Sequence, residues 1–485
     1  MSNPLEGLKP ELVWKYFAEI SKIPRGSKNE KKISDYIVET AKKLGLEAKR
    51  DKVLNVLVRK PASQGRENVP MVCLQGHLDM VCEKNKDKVH NFEKDPLELV
   101  VNGNYLMANG TTLGADNGIA VATNLALMED KSAVHGPLEF LFTVDEETGL
   151  TGANNLQPGF VASKILMNLD SEEEGELYVG CSGGKDTTGT WKTAYESIDL
   201  RYAPALVKVK GLKGGHSGLE IDKGRGNSLK LLNRVLIELD KLGVRISTLE
   251  GGNKSNAIPR EAEAIVYVPN KKLNDASAVV SQYNSILREE LSTVEPDLAI
   301  LIEEVKGKKK GKVLKKAIQK KILQTLSALP HGVMKMSADI RGLVETSTNV
   351  AIIKTDAKSV TLITSQRSSV ASEIDEIVYT VASILQLGGA DAETSDGYPG
   401  WKPNMDSKIL KIARETYKEL TGKKPEVKAI HAGLECGIIG EKYPGIDMVS
   451  FGPTLEGVHS PDEKMHIDTV EMFWNFLMAI LKNVK

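Results

Sequence analysis

Length, composition and charge are those of an ordinary globular protein. The chain has 485 residues, of which 41% are hydrophobic and 27% charged, which excludes a disordered or fibrous protein. Its 64 Lys and Arg residues are balanced by 65 Asp and Glu residues, so no overall positive field exists that would hold nucleic acid or an anionic membrane.

The cysteines and the apolar runs exclude further classes of protein. Four cysteines in 485 residues form neither a disulfide framework nor a zinc-finger spacing. No apolar run approaches the roughly 20 residues of a membrane span, and the first residues lack the layout of a secretory signal. We therefore expect a cytoplasmic protein of two or three folding units that binds neither nucleic acid nor a membrane.

The pattern over residues 1–188 is typical of an α/β domain. Apolar residues recur at helical spacing over 11–21, 29–44 and 119–130. Apolar runs of strand length lie at 55–60, 70–75, 138–144 and 164–170. Strands that alternate with helices predict a mostly parallel sheet covered by helices on both faces.

Residues 189–392 have a different pattern, in which predicted strands come in neighbouring pairs such as 349–355 and 359–367. This predicts an inserted α+β domain. The first pattern returns over 393–485, so we expect one catalytic domain, 1–188 and 393–485, interrupted by the insertion. Both seams are rich in small and turn-forming residues, as domain boundaries are.

A lysine-rich run extends from Lys306 to Lys321, with nine Lys in sixteen residues. One interpretation is an anion or nucleic-acid patch. The other is the solvated face of a helix whose opposite face carries Val313, Leu314, Ala317 and Ile318. No aromatic residues interleave with the lysines, which favours the second interpretation.

Five short segments carry side chains that commonly bind metal ions. They are GHLDM with His77 and Asp79, TLGADNG with Asp116, DEETG with Glu146 and Glu147, NLDSEEEGE with Asp170, and HSPDE with His459. Each alone has a simpler explanation, such as a helix N-cap for Asp116 or a solvated acidic turn for Glu172 to Glu174. For His466 we expect no role.

Together the segments predict a two-metal site, because the carboxyl ends of strands in an open α/β sheet converge on one crevice. Two imidazoles and three carboxylates suit two borderline dications that share a bridging carboxylate. Asp79 can orient His77 from the same side of the strand. Of the adjacent Glu146 and Glu147, one can bind metal while the other acts as a base.

These five segments, with GLKGGHSG, NAIPRE and HAGLECG, resemble the aminoacylase/carboxypeptidase superfamily of dinuclear zinc metallopeptidases. The similarity covers essentially the whole chain and is greatest to its aminoacyl-histidine dipeptidases. It implies hydrolysis of Xaa-His dipeptides such as β-Ala-His by a metal-bridged hydroxide. It also implies two divalent ions, zinc first and manganese or cobalt as alternatives, and a lid formed by the inserted domain.

The resemblance also assigns roles to individual residues. His77 and Asp170 would hold one ion, Glu147 and His459 the other, and Asp116 would bridge them. Asp79 would orient His77, and Glu146 would be the general base. The Asp116–Asn117 bond is expected to be cis.

In the inserted domain, the resemblance implies that His216 stabilises the oxyanion and that Arg367 contacts the substrate carboxylate. The segment TSQRSS around Arg367 departs from the common Asp-x-Arg pattern, so this assignment has less support from the sequence. Asn256, Gly433 and Glu435 are expected to line the substrate pocket.

Other interpretations share the same metal site. An N-acyl amino acid hydrolase or a tripeptidase of this fold would have the same ligands, and only substrates separate them. A non-catalytic metal-bound scaffold is disfavoured because Glu146 stands beside a full ligand set. The sequence leaves open the preferred N-terminal residue of the substrate, the physiological metal, a homodimer and the physical basis of any preference for His.

Overall fold

The computed structural model describes residues 4–305 and 311–485 and divides the chain into two compact units. The first unit comprises residues up to Gly180, Trp401–Ala429 and Leu434–Lys485, and the second comprises Cys181–Gly400 and Ile430–Gly433. No helix within the described ranges is both long and apolar enough to cross a bilayer.

Helices and strands are distributed along both units. The helices are α1 Glu11–Ile20, α2 Lys31–Lys43, α3 Ala115–Glu129, α4 Glu146–Gly149, α5 Thr151–Asn155, α6 Ser228–Lys241, α7 Leu273–Glu290, α8 Lys316–Ala328, α9 Ala371–Leu387, α10 Lys408–Thr421, α11 Glu435–Lys442 and α12 Ile467–Asn483, with a 3-10 turn at Asn270–Lys272. The strands are β1 Glu47–Arg50, β2 Val56–Lys60, β3 Val72–His77, β4 Leu99–Asn102, β5 Tyr105–Ala108, β6 Leu138–Thr143, β7 Ile165–Asn168, β8 Glu176–Cys181, β9 Gly183–Lys192, β10 Tyr195–Ile198, β11 Tyr202–Lys210, β12 Gly215–His216, β13 Arg245–Gly251, β14 Ala257–Ile258, β15 Ala262–Pro269, β16 Ala299–Glu304, β17 Gly311–Leu314, β18 Gly332–Met336, β19 Val344–Thr355, β20 Ser359–Ser368, β21 Asp391–Thr394, β22 Glu426–Ile430, β23 Asp447–Ser450, β24 Leu455–Glu456 and β25 Lys464–His466.

The first unit is built around an eight-stranded sheet in the order β1-β2-β6-β3-β7-β23-β8-β22. Its central strands β6, β3, β7 and β23 are parallel, and every residue of β3 and β6 is buried. Such continuous burial is typical of a parallel sheet covered on both faces, so the predicted α/β class is confirmed. β1 and β2 pair antiparallel, because their short connection allows only a hairpin. β2 also pairs antiparallel with β6, and β8 with β23.

The parallel strands bring the predicted ligands to one edge of this sheet. His77 is the last residue of β3, Glu146 and Glu147 follow β6, and Asp170 follows β7. Parallel strands end on the same side of a sheet, so the chain direction alone places these residues together. His459 lies in the loop between β24 and β25.

The second unit is an α+β structure, as expected. Its largest sheet is antiparallel, in the order β16-β11-β15-β13-β19-β20-β9-β21, with β18 paired to β19. Its apolar core combines strand residues such as Val207 and Val266 with helix residues such as Leu236 and Val381. The domain boundaries expected at 188/189 and 392/393 fall within β9 and β21, which pair with each other.

The lysine run differs from its predicted single helix. Residues 306–310 lie outside the described ranges, and β17 occupies Gly311–Leu314, where it pairs with β10. Val313 and Leu314 are buried strand residues, so their assignment to a helix face was wrong. The helix begins only at Lys316, after the strand has ended.

Candidate metal centre and active site

The five predicted metal ligands come together in the first unit as two groups that share Asp116. One group is His77, Asp116 and Asp170, the other is Asp116, Glu147 and His459, and within each group the ligand atoms lie within 4.8 Å of one another. His77 Nε2 is 3.0 Å from Asp116 Oδ1, and His459 Nε2 is 3.0 Å from Asp116 Oδ2. Each oxygen of Asp116 therefore faces a different imidazole, as a bridging carboxylate requires.

The outer carboxylates complete each group and fit a metal. His459 Nε2 is 2.9 Å from Glu147 Oε2, and His77 Nε2 is 3.3 Å from Asp170 Oδ1. Glu147 Oε1 and Asp170 Oδ1 are buried and have no hydrogen-bond partner. Buried carboxylate oxygens without partners are unfavourable unless a cation offsets them. Imidazole nitrogens and carboxylate oxygens are the donors that zinc and similar dications prefer.

The pKa shifts of these groups also favour a bound cation. Hydrogen bonds to Asp116 and Glu147 raise the pKa of His459 to about 11. Burial raises the pKa of Asp170 to about 6. Asp116 is also buried, but its hydrogen bonds from His459 and His77 hold its pKa below the ordinary range. The carboxylates therefore concentrate negative potential where the imidazole nitrogens lie, which favours bound cations.

Glu146 stands beside these ligands, grouped with His77 and Glu147. Burial raises the pKa of Glu146 well above its ordinary value, and the neighbouring carboxylates Asp170 and Glu435 add to this effect. A carboxylate with a raised pKa binds a proton more strongly than an ordinary glutamate does. This is the property that a general base needs.

Asp79 connects His77 to the turn that carries the two glutamates. Its Oδ1 lies 3.3 Å from His77 Nδ1, within ion-pair distance but outside hydrogen-bond geometry. The same carboxylate accepts hydrogen bonds from the backbone N–H of Glu146, at 3.0 Å, and of Glu147, at 3.3 Å. One buried side chain thus contacts one ligand and fixes the backbone of another.

The segment of residues 113–117, the Asp116 loop, has a support that the sequence did not indicate. The Asp116–Asn117 peptide bond is cis, as expected. The buried carboxylate of Glu463 accepts hydrogen bonds from four successive N–H groups, those of Leu113, Gly114, Ala115 and Asp116. Glu463 lies in the HSPDE segment that was singled out for His459 alone. Its position in that segment was the only available signal.

Glu172 also differs from its expected place in a solvated turn. Its side chain is partly buried, and burial together with Asp116 and Asp170 raises its pKa to about 8. The sequence indicates only three adjacent acids, without showing which one turns towards the ligands.

Glu435 is fully buried in the first unit. Its Oε2 accepts hydrogen bonds from Gln75 Nε2 and Thr143 Oγ1, both at 2.6 Å. Burial raises its pKa to about 7. Gln75 lies on β3 and Thr143 ends β6. Glu435 therefore connects the strand that ends at His77 with the strand that leads into Asp145, Glu146 and Glu147, the acidic turn.

The second unit contains the other predicted site residues. His216 Nδ1 accepts hydrogen bonds from the N–H groups of Gly218, at 3.2 Å, and Leu219, at 3.1 Å. An imidazole that accepts at Nδ1 carries its proton on Nε2. Burial and the nearby Arg367 lower the pKa of His216 to about 4, so the ring is a neutral Nε2–H donor near pH 7.

Arg367, Gly433 and Asn256 also lie in this unit. Arg367 Nη1 donates to the Tyr398 hydroxyl at 2.8 Å. Gly433 packs on the Tyr398 ring so closely that a Cβ there would lie 2.8 Å from Tyr398 Cε2. Asn256 is exposed, and its carbonyl accepts from Ser217 N at 2.9 Å, next to His216.

Comparison with known proteins identifies the family. The family model of peptidase family M20/M25/M40 matches residues 73–483, so the chain belongs to this family. Over 483 residues, 99% of each protein, the chain is 43% identical to the cytosol non-specific dipeptidase of Escherichia coli. The resemblance inferred from the motifs is therefore confirmed.

Solved structures agree with this assignment. The aminoacylhistidine dipeptidase from Vibrio alginolyticus is 43% identical and superimposes with a TM-score of 0.91, covering 99% of this chain and 98% of that one. An aminopeptidase from Bacillus cereus, 17% identical with a TM-score of 0.58, covers 98% of this chain and 99% of its own, and shares the fold.

Proposed function

We propose that this member of the M20/M25/M40 peptidase family hydrolyses dipeptides with two bound divalent metal ions. The observation that carries the proposal is the pair of ligand groups that share Asp116, with the buried Glu146 beside them. The relatives that are 43% identical over nearly the whole chain are named as dipeptidases, which supports this substrate class.

The metal ligands follow from the two groups. His77 and Asp170 would hold one ion, Glu147 and His459 the other, and Asp116 both. Zinc fits the mixed nitrogen and oxygen donors, and manganese or cobalt would bind the same set. When bound, such a pair of ions polarises a carbonyl group and lowers the pKa of a coordinated water.

Glu146 supplies the proton transfers. It takes a proton from the attacking water and returns it to the leaving amine nitrogen, which its raised pKa permits. Asp79 keeps this carboxylate in place through the backbone N–H of Glu146 while it orients His77. Proton acceptor and ligand are therefore held by one side chain.

The family resemblance assigns the remaining groups to the second unit. The neutral Nε2–H of His216 donates to the substrate carbonyl oxygen as negative charge develops there, a contribution of roughly 3–4 kcal/mol. Arg367, steadied by Tyr398, pairs with the terminal carboxylate of the substrate. Asn256, Gly433 and Glu435 are the remaining residues assigned to substrate binding.

The substrates proposed first are Xaa-His dipeptides, since one relative is named an aminoacylhistidine dipeptidase. The relative named as non-specific makes a broader range of dipeptides the alternative, and that relative's name also supports a cytoplasmic location. Light scattering, with activity followed on dilution, tests for a homodimer.

The test is amino-acid release from a panel of β-Ala-His, Gly-His, Leu-Gly, a tripeptide and an N-acetyl amino acid. Each substrate is offered with zinc, with manganese and with a chelator. We expect chelator-sensitive cleavage of the dipeptides. Cleavage confined to His dipeptides supports the narrower substrate class. Cleavage of only the tripeptide or the acyl amino acid refutes the dipeptidase assignment, and activity that survives exhaustive chelation refutes the role of the metals.

A further inference from the structure

Arg25 lies in the first unit, before the residues that the family model matches. It contacts two segments that carry candidate ligands: Leu78 and Asp79 directly after His77, and the Asp116 loop. These two segments are called the ligand loops below. The side chain is only 2% exposed. Its Nη1 donates to the carbonyls of Leu78, at 3.1 Å, and Asp79, at 2.9 Å, directly after His77. Its Nη2 donates to the carbonyl of Gly114 in the Asp116 loop.

Two glycines make room for this guanidinium group. Gly114 and Gly118 flank the Ala-Asp-Asn triplet of the Asp116 loop. A Cβ atom would lie 2.6 Å from Arg25 Nη2 at Gly114 and 2.5 Å from it at Gly118. Gly114 has a φ of 65°, so glycine is favoured there for its backbone as well. Gly118 has no such requirement, and its lack of a side chain is explained by Arg25.

Two neighbours of Arg25 contact the acidic turn and its support. Ser27 Oγ donates to Asp79 Oδ2 at 2.8 Å. Glu30 is buried and accepts a hydrogen bond from the N–H of Asp145 at 2.9 Å, directly before Glu146. With Asp79, it satisfies the backbone N–H groups of residues 145, 146 and 147 in succession.

We propose that Arg25 is the positioning residue that sets the separation of the two ligand loops, with Ser27 and Glu30 fixing the acidic turn. Arg25 does not reach the ligand atoms. It acts through the backbone that carries His77 and Asp116, so it sets the distance between the bridging carboxylate and the first imidazole. This proposal rests on the proposed function, in which the two loops carry metal ligands.

The guanidinium group is suited to this task. It is planar and has five N–H donors in a fixed arrangement, so it can hold carbonyls of two loops at one spacing. An ammonium group offers a single point of attachment on a flexible stem. Arg25→Lys would therefore keep the charge but not the spacing.

The experiment compares Arg25→Ala, Arg25→Lys and Gly118→Ala with the double variant Arg25→Ala/Gly118→Ala. Zinc affinity is measured by competition with a chromophoric chelator, and kcat and KM are measured on a dipeptide that the wild type cleaves. We expect zinc affinity and kcat to fall roughly 10–100-fold in Arg25→Ala and Gly118→Ala, the range typical of groups that support metal ligands. KM should change little, and Arg25→Lys should recover only part of the loss.

The double variant is the decisive measurement. If Gly118 serves only to admit Arg25, the Gly118→Ala change costs nothing further once the guanidinium is gone, so the double variant should match Arg25→Ala. Losses that multiply would refute the link between them. Wild-type zinc affinity and kcat in folded Arg25→Ala would refute the positioning role.

Arg66 provides a matched control. It also donates to backbone carbonyls, those of Leu481, Lys482 and Val484. The buried Nε of Arg25 and that of Arg66 both have no hydrogen-bond partner. Arg66→Ala should lower the melting temperature without changing zinc affinity. An equal loss of zinc affinity in Arg66→Ala would refute a specific role for Arg25. If the wild type cleaves no dipeptide, the proposed function fails, while the zinc measurement still decides on Arg25.

Discussion

Glu463→Gln should weaken both the stability of the first unit and its affinity for metal. The Glu463 carboxylate is 2% exposed and accepts from Leu113 and Gly114 through Oε2, at 2.7 and 2.9 Å. Through Oε1 it accepts from Ala115 and Asp116, at 2.7 and 3.3 Å. Glutamine has one acceptor oxygen in place of two, so its NH2 group would face two backbone N–H groups.

The expected loss in the free energy of unfolding follows from these two unpaired N–H groups. Each hydrogen bond to a charged group contributes about 1.5–3 kcal/mol, and a buried donor left unpaired costs about 1–3 kcal/mol. Two such donors would cost about 2–6 kcal/mol. Removing a buried charge recovers part of this, since burial raises the pKa of Glu463. We therefore expect a loss of about 2–4 kcal/mol in the free energy of unfolding.

The assay is urea denaturation with and without zinc, together with chelator competition for zinc affinity. Glu456→Gln is the matched control: the same chemical change on the neighbouring strand β24, at an exposed carboxylate paired with Lys464 and His466. It should change stability by less than about 1 kcal/mol. Glu463→Gln with the stability and zinc affinity of the control would refute the argument that this carboxylate holds the Asp116 loop.

Three further changes test the site and its electrostatics. Glu146→Gln should bind metal fully and lose at least about 100-fold in kcat; wild-type turnover at full metal content would contradict its role as base. His216→Ala should lower kcat about 100-fold with metal content unchanged. An unchanged kcat in His216→Ala would refute the role of His216 as oxyanion donor. Because the pKa of His216 is lowered to about 4, the wild-type pH–rate profile should show no change due to His216 between pH 5 and 8. Burial also lowers the pKa of His331 to about 4, so between pH 6.5 and 4 the folded state binds fewer protons than the unfolded state and loses stability as pH falls. His331→Gln should reduce this slope by up to about 1.4 kcal/mol per pH unit in urea titrations, and an unchanged slope would show that His331 titrates normally.

That the candidate ligands lie close together could be predicted, because residue chemistry and sheet topology both restrict their positions. His77 ends an apolar strand, Glu147 and Asp170 each follow one, and parallel strands end at one edge. The residue types themselves identify a metal site. His459 is different, because it lies in the loop between the two short strands β24 and β25, which are not part of the parallel sheet.

The supporting roles of Arg25 and Glu30 could not be predicted, because these side chains contact backbone groups. The segment containing Arg25, Ser27 and Glu30 has the composition of an ordinary surface loop, yet Arg25 and Glu30 are buried. A side chain that binds a carbonyl or an N–H group leaves no complementary residue in the sequence. Gly118 is the one indication in the sequence. A glycine that lies inside a helix and does not need a positive φ indicates that another group packs closely there, but it does not show which group.

The lysine run shows how tertiary pairing can override a local pattern. Spacing alone allows Val313 and Leu314 to lie on a helix face with Ala317 and Ile318. In the structure, β17 finds a partner in β10, and the two residues are buried as part of a strand. Strand pairing depends on residues more than one hundred positions away, which no local window includes.

The supports also explain how a site so rich in negative charge can stay ordered. Glu463 binds N–H groups of the Asp116 loop, while Glu30 and Asp79 bind those of the acidic turn, so each buried carboxylate is compensated by backbone dipoles. Arg25 binds carbonyls of both loops and adds a buried guanidinium among them. The backbone of the ligand loops is thus fixed by groups that do not bind metal. The ligand carboxylates are therefore held close together despite their mutual repulsion, and that repulsion is what two dications would relieve on binding.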